Sequence, residues 1–199
     1  MKQITVVLVI IALAVACKNH PQNTSDKPPS ADTVTAQYFP VADFLQSEIR
    51  NVDTSVLAIL RCRTTDQRTD SSFLTPIEFN KAAAAFLSPE LQPDSLQKNY
   101  TENSFSDKTT GNLTFTYSPR EKGQTLQRID VVVAQASDGA NRVKSIYMER
   151  TSIESDTPVI KKMYWRAGHN FQVITLLQPK GHPAETRQLN IIWNDAEGN

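Results

Sequence analysis

A series of short alternating segments fills the C-terminal half of this 199-residue chain and constrains its fold more than any other feature. Apolar residues occupy every second position in 113–117 and again in 129–133. Similar segments follow at 143–153, 159–166, 171–177 and 186–193. Gly, Asp and Asn residues separate them, and short alternating segments joined by such turns are typical of antiparallel strands. The sequence therefore predicts an antiparallel meander of at least five strands.

Two helices are predicted before the meander. Apolar residues at positions 41, 44, 45, 49 and 52 recur at helical spacing, and Pro40 suits a first helical turn. Thr75, Pro76 and Glu78 have the pattern of a capping box, which starts a second helix. Its apolar positions are 77, 79, 82, 83 and 86, and Ser88-Pro89 ends it. Residues 90–108 are ambiguous and allow a further helix.

A strand is predicted at 56–64, between the two helices. Alternation places positions 56, 58, 60 and 62 on one face and positions 57, 59, 61 and 63 on the other. A turn at 66–69 leads into a second short strand that extends through Phe73. Cys62 is expected to be a small buried hydrophobe rather than a nucleophile.

Helices followed by strands indicate an α+β fold, with the N-terminal helices packed on a twisted antiparallel meander sheet. Some strands carry large apolar side chains on both faces, since Met163 and Trp165 oppose Ile160 and Tyr164. The helices can cover one face. The other face either curls into a half-barrel that fills its own interior, which twisted sheets favour, or is open to a partner or an apolar ligand.

The N-terminus has the features of a bacterial export signal over residues 1–16. Lys2 precedes an apolar run that is interrupted only by Thr5, and Ala14 and Ala16 lie just before Cys17. A membrane-spanning helix needs about 20 apolar residues, so this run is too short. The alternatives are an ordinary signal peptide cleaved after Ala16, which leaves Cys17 as a free thiol, and an uncleaved anchor.

The segment Leu13-Ala14-Val15-Ala16-Cys17 resembles the lipobox of bacterial lipoproteins. This resemblance implies cleavage before Cys17 and lipid attachment to that cysteine. The polar, proline-containing residues that follow, up to position 37, predict a disordered tether that holds the domain on the order of 25 Å from the lipid surface. Residues 38–199 are then expected to form a single α+β domain.

Composition excludes some classes of partner and of site. The chain has 21 basic and 21 acidic residues and no basic stripe, which argues against nucleic acid as a partner. With Cys17 acylated, only Cys62 remains, so no internal disulfide is expected. No catalytic or phosphate-binding motif occurs in the chain, and no cofactor or metal site is predicted.

The residues with chemical potential are three histidines and a group of arginines. His20 lies in the predicted tether, whereas His169 and His182 lie in consecutive hairpin loops. Such loops occur at opposite ends of a sheet, so we expect the two rings to point to solvent about 15–20 Å apart, too far to share a metal. Arg61, Arg63 and Arg68 form the most basic cluster of the sequence. They either bind an acidic group on a partner or keep an exposed strand soluble.

The segments KMYWRAGHNF at 162–171 and IIWN at 191–194 are similar to those of small uncharacterised Bacteroidota-type lipoproteins. The likeness spans residues 38–194. It implies a location in the cell envelope and brings no catalytic residues with it. Residue 18, directly after Cys17, is not acidic, which agrees with transfer to the outer membrane and leaves the periplasmic and external faces as alternatives.

The sequence thus predicts an envelope lipoprotein held to the outer membrane by lipid at Cys17, with a non-catalytic binding or accessory role. Its expected partner is an envelope protein or an apolar ligand. The alternative is an envelope hydrolase that uses His169 or His182 with an unrecognised serine or acid. An enzyme needs its histidine within hydrogen-bond reach of an acid and a nucleophile in a cleft, whereas a binding module needs an exposed apolar patch.

Overall fold

The structure, a computed structural model, describes residues 38–65, 68–135 and 140–195. The described residues belong to one compact unit. The predicted signal, Cys17 and tether lie outside the described residues, so those assignments stay predictions.

Three helices and nine strands make up the described chain, together with two 3₁₀ turns. The helices are α1 (Val41–Asp53), α2 (Pro76–Ala83) and α3 (Pro93–Asn99), and the 3₁₀ turns are Ala84–Phe86 and Pro89–Leu91. The strands are β1 (Ile59–Thr65), β2 (Arg68–Leu74), β3 (Tyr100–Asp107), β4 (Asn112–Pro119), β5 (Leu126–Gln135), β6 (Asn141–Glu154), β7 (Thr157–Arg166), β8 (Asn170–Leu177) and β9 (Glu185–Ile192).

All nine strands form one antiparallel sheet in the order β2-β1-β9-β8-β7-β6-β5-β4-β3. Strands β3 to β9 follow one another as a meander, and β9 then pairs with β1. The hairpin of β1 and β2 therefore extends the meander at one end. The predicted antiparallel meander is confirmed, and the structure is sheet-rich with three helices.

The two predicted helix starts are present. Val41 and Leu45 on α1 are fully buried, as the helical spacing predicted. At α2 the Thr75 hydroxyl accepts from the Glu78 backbone N–H at 3.3 Å, and the Glu78 carboxylate accepts from the Thr75 backbone N–H at 2.9 Å. These reciprocal bonds satisfy backbone donors that a helix start leaves unpaired.

The core lies between the helices and one face of the sheet. Phe86, just after α2, packs edge-on against Trp165 and Phe171, with both pairs of ring centroids 5.1 Å apart. Phe79 of α2 contacts Trp193 in the same way at 5.4 Å. Such aromatic pairs contribute about 0.5–1.5 kcal/mol each beyond the area they bury. Met163 and Trp165 belong to this buried face, whereas Tyr164 lies on the opposite face.

The structure corrects the predicted first strand. Residues 55–58 are irregular, the side chain of Val56 is fully exposed, and β1 begins at Ile59, which is buried. The face of β1 that packs on the core is the one that carries Ile59, Arg61 and Arg63, an assignment that the alternation alone left open. The reason is long-range pairing, because β1 lies beside β9 and shares the face on which Ile191 is buried.

The further helix that the sequence allowed within residues 90–108 is present as α3, with Leu96 buried. The rest of that ambiguous segment, residues 100–107, forms β3, which pairs with β4 over eight residues. One expectation about α2 was wrong. Ile77 was placed on the apolar face of α2 but is 81% exposed, because Phe79 and Ala83 alone supply the buried stripe of that helix.

Candidate ligand-binding cleft

A cleft of about 420 Å³ opens between α2 and the end of the sheet formed by β1, β2 and β9. We call it the basic cleft. Its lining consists of Arg61, Arg63, Leu74, Glu78, Lys81, Ala82, Leu189 and Ile191. The volume falls within the range of small-molecule sites in proteins.

The floor of the basic cleft is a patch of two strands. Arg61 pairs in register with Ile191, and Arg63 pairs with Leu189. Residues two apart on a strand share a face, so these four side chains lie on the helix-covered side of the sheet. Ile191 is also next to Phe171 of β8 in the core. At this end of the sheet, the apolar side chains of the core face therefore give way to the guanidinium groups of Arg61 and Arg63.

The roof of the basic cleft is one face of α2. Glu78, Lys81 and Ala82 are three and four residues apart, a spacing that brings side chains onto one side of a helix. Phe79 and Ala83 occupy the neighbouring stripe and are buried in the core. The capping box at Thr75 fixes where the helix begins, and so fixes which residues face the cleft.

Arg61 is the most enclosed cation of the cleft. One terminal nitrogen, Nη2, donates to the Ser72 hydroxyl at 2.6 Å. Its Nε is buried and has no hydrogen-bond partner among the described residues. A buried donor of this kind is costly unless an acceptor reaches it.

Few carboxylates lie in or beside the basic cleft. Glu78 is the one carboxylate among the eight lining residues, against three cations. Its Oε2 accepts from both the backbone N–H and the hydroxyl of Thr75, at 2.9 Å each. These hydrogen bonds, and to a smaller extent the charge of Arg61, lower the pKa of Glu78. Just outside the lining, Asp70 lies opposite Arg63 in the register of β1 and β2.

The three arginines singled out from the sequence are only partly brought together. Arg61 and Arg63 line the basic cleft, whereas Arg68 lies exposed on the edge strand β2 and is not part of the lining. Lys81 joins them from α2, and the sequence reasoning missed it. Its spacing from Glu78 and Ala82 is the signal that could have placed it on a common helix face.

The histidines occupy the two predicted loops. His169 lies in the turn between β7 and β8, and His182 lies between β8 and β9, so the eight residues of β8 separate them. His169 is half-buried rather than solvent-directed, since its Nδ1 lies 3.2 Å from the backbone carbonyl of Asn194. In the part of the chain that the structure describes, no three His, Cys, Asp or Glu side chains could together hold a metal ion.

Cys62 does not belong to the basic cleft. It follows the alternation of β1 onto the face away from the helices and is half-buried there. It is only partly buried, because the face of β1 that packs on the core is the opposite one.

No family model matches this chain, and no curated protein matches it either. The likeness to small Bacteroidota-type lipoproteins stays a prediction. Across residues 38–65, 68–135 and 140–195, no helix combines the length and the apolar character needed to cross a membrane. What the basic cleft can do chemically therefore follows from its side chains. Guanidinium, ammonium and aliphatic groups together suit an anion that has an apolar body.

Proposed function

We propose that this protein is a lipoprotein of the cell envelope, anchored to the outer membrane through Cys17, and that it works as a non-catalytic binding module. The basic cleft is its ligand site. The anchoring rests on the sequence of residues 1–17, and the cleft supports the binding role. The flexible tether remains part of this proposal, with the second face of the sheet either curled into a half-barrel or open to a partner.

The observation that carries the binding role is the position of Arg61. A half-buried guanidinium group stands among the aliphatic side chains of the cleft lining, and its Nε is enclosed by the protein without a hydrogen-bond partner. Partial burial of a charged group is unfavourable, and an anionic ligand bound by its terminal N–H groups would offset that cost. The lining side chains are cations, aliphatic groups and one carboxylate engaged in a helix cap, a set suited to holding a ligand.

The test blocks the basic cleft without changing its charge. Ala82→Phe places a ring in the cleft, and Ala85→Phe is the matched control, since Ala85 is exposed and lies outside the lining. The mature full-length chain is purified in detergent, and binding of naphthalene-2-sulfonate, an apolar anion, is measured by native mass spectrometry. We expect Ala82→Phe to weaken binding at least about 10-fold and Ala85→Phe to leave it unchanged.

Equal binding by the wild type and Ala82→Phe would overturn the cleft as the ligand site. The hydrolase alternative has its own readout. Cleavage of a p-nitrophenyl ester by the wild type, lost in His169→Ala or His182→Ala, would replace the binding module with an enzyme.

A further inference from the structure

The guanidinium group of Arg61 lines the basic cleft, and one of its terminal nitrogens is hydrogen-bonded within the protein. Ser72, on the neighbouring strand β2, accepts from Nη2, so the Arg61 side chain is held against the floor of the cleft. Nε is enclosed by the protein, so the two terminal nitrogens, Nη1 and Nη2, form the planar fork that can face a ligand. Such a fork matches the two oxygens of a carboxylate, which accept two parallel hydrogen bonds.

The surroundings of that fork are aliphatic. Ile191 is its register neighbour on β9, Ala82 lies above it on α2, and Leu74 and Leu189 complete the apolar part of the lining. Glu78 is the one acidic side chain in the lining, and its Oε2 is engaged by Thr75. A ligand body in this space therefore meets methyl and methylene groups, which favour a short hydrocarbon chain.

The charge balance favours a ligand with a single negative charge. Three cations, Arg61, Arg63 and Lys81, and the carboxylate of Glu78 line the cleft, and Asp70 stands opposite Arg63 on β2. Arg63 and Lys81 are exposed at the mouth, where salt screens their attraction, so Arg61 is the cation that contributes most at short range. Glu78 and Asp70 offset two of the three cations, so the second negative charge of a dianion would have no partner.

We propose that the basic cleft recognises a short-chain aliphatic monocarboxylate, with the carboxylate on the Arg61 fork and the chain against Ile191, Leu189 and Ala82. This inference rests on the proposed function, since it names the ligand class of the same cleft. The cleft selects the carboxylate through its charge and through paired hydrogen bonds. The hydrocarbon chain of the ligand is held by burial against the aliphatic side chains.

The experiment compares three probes of equal chain length: hexanoate, hexan-1-ol and hexylammonium. Each is titrated against naphthalene-2-sulfonate bound to the mature full-length chain, and displacement is followed by native mass spectrometry. We expect hexanoate to displace the reporter at least about 10-fold better than hexan-1-ol, and hexylammonium to be the weakest.

Three variants assign the selectivity to Arg61. Arg61→Gln is expected to abolish the preference for hexanoate over hexan-1-ol, and Arg61→Lys to recover only part of it, because an ammonium group lacks the planar fork. Arg128→Gln is the charge-matched control, since Arg128 is exposed and outside the lining, and it should behave as the wild type. Ser72→Ala keeps the charge of Arg61 but removes its fixed bond, and we expect a few-fold loss of hexanoate binding even if Arg61→Gln fails to fold.

Equal displacement by hexanoate and hexan-1-ol in the wild type would overturn the carboxylate inference. If Ala82→Phe still blocked the reporter in that case, the cleft would remain the ligand site, and only the ligand class would be wrong. If Ala82→Phe left every probe bound as in the wild type, the proposed function itself would fail.

Discussion

A single carboxylate, that of Glu48, ties the first helix to a distant turn of the sheet. Its Oε2 accepts from the backbone N–H of Gly168 at 2.6 Å and from the indole N–H of Trp165 at 3.3 Å. Gly168 has a positive φ of 72°, a conformation that glycine adopts without strain. On the other side of the turn, the His169 carbonyl accepts from the backbone N–H groups of Trp193 and Asn194. The turn between β7 and β8 is therefore held from two directions.

Glu48→Ala tests this contact. Trp165 is fully buried, so loss of its acceptor leaves an indole N–H without a partner, and we expect the free energy of unfolding to fall by about 2 kcal/mol. Glu48→Gln keeps an acceptor oxygen and should lose less. Chemical denaturation gives the values, and Asp43→Ala, at an exposed site on the same helix, is the control. A loss no larger than that of Asp43→Ala would show that the contact adds no stability.

The sequence could predict only those parts of the site that depend on residues close together along the chain. Arg61 and Arg63 were recognised as a basic group because they are close in sequence and share a strand face. That they face a cleft depends on the pairing of β1 with β9, whose partners lie more than a hundred positions away. Lys81 approaches from a different element, and no local pattern predicts the distance between a helix and a strand.

At the scale of elements, one ion pair joins the 3₁₀ turn Pro89–Leu91 to the sheet. Nη2 of Arg150, on β6, donates to both oxygens of Glu90 at 3.1 and 3.2 Å. The side chains are 17% and 27% exposed, so the pair is partly shielded from solvent. Leu91, in the same turn, is fully buried. The ion pair and this apolar anchor together position the connection between α2 and α3.

Glu90→Gln is expected to lower the free energy of unfolding by about 1 kcal/mol at neutral pH. Burial alone raises the pKa of Glu90, but the neighbouring Ser88 hydroxyl and the charge of Arg150 outweigh it, so the pKa is lowered overall. A lowered pKa in the folded state means that the contribution is present above the unfolded value of 4.5 and is lost as the pH falls through the folded value. The difference between wild type and variant should therefore shrink below about pH 4.

Denaturation curves recorded from pH 7 to pH 3 measure this effect. Glu121→Gln, at an exposed position, is the control and should show no such convergence with the wild type. A gap between the wild type and Glu90→Gln that stays constant over the whole range would contradict the role given to the ion pair.

The elements themselves were predictable to different extents. Strand β7 was predicted at 159–166 and is Thr157–Arg166, because its alternation is regular and both of its neighbours are strands joined by short turns. Strand β3 carries only Tyr100 and Phe105 as large apolar side chains, and Phe105 is 68% exposed. An edge strand buries little of its length, so its sequence lacks the alternation that marks a central strand.

At the scale of the whole molecule, the sheet order explains why the basic cleft lies where it does. The hairpin of β1 and β2 lies beside β9 at one end of the sheet, and Ile59 and Leu74 continue the core face there. At this end the core face gives way to cations, and α2 alone forms the roof. A ligand site at the margin of a core combines buried aliphatic walls with a mouth open to solvent.

The last prediction concerns the attachment of the whole molecule to a membrane. Cys17→Ala removes the sulfur that the lipobox resemblance marks for acylation, and we expect the protein to move from the membrane fraction to the soluble fraction and to stop incorporating labelled palmitate. Two or more acyl chains hold a protein stably on a bilayer, whereas a chain without them depends on weaker contacts. Cys62→Ala is the matched control, because it removes the other cysteine of the chain, and it should stay membrane-bound. If Cys17→Ala fractionated with membranes as fully as the wild type, lipid anchoring through Cys17 would be refuted. The binding role of the basic cleft would then no longer be tied to a lipid-anchored protein.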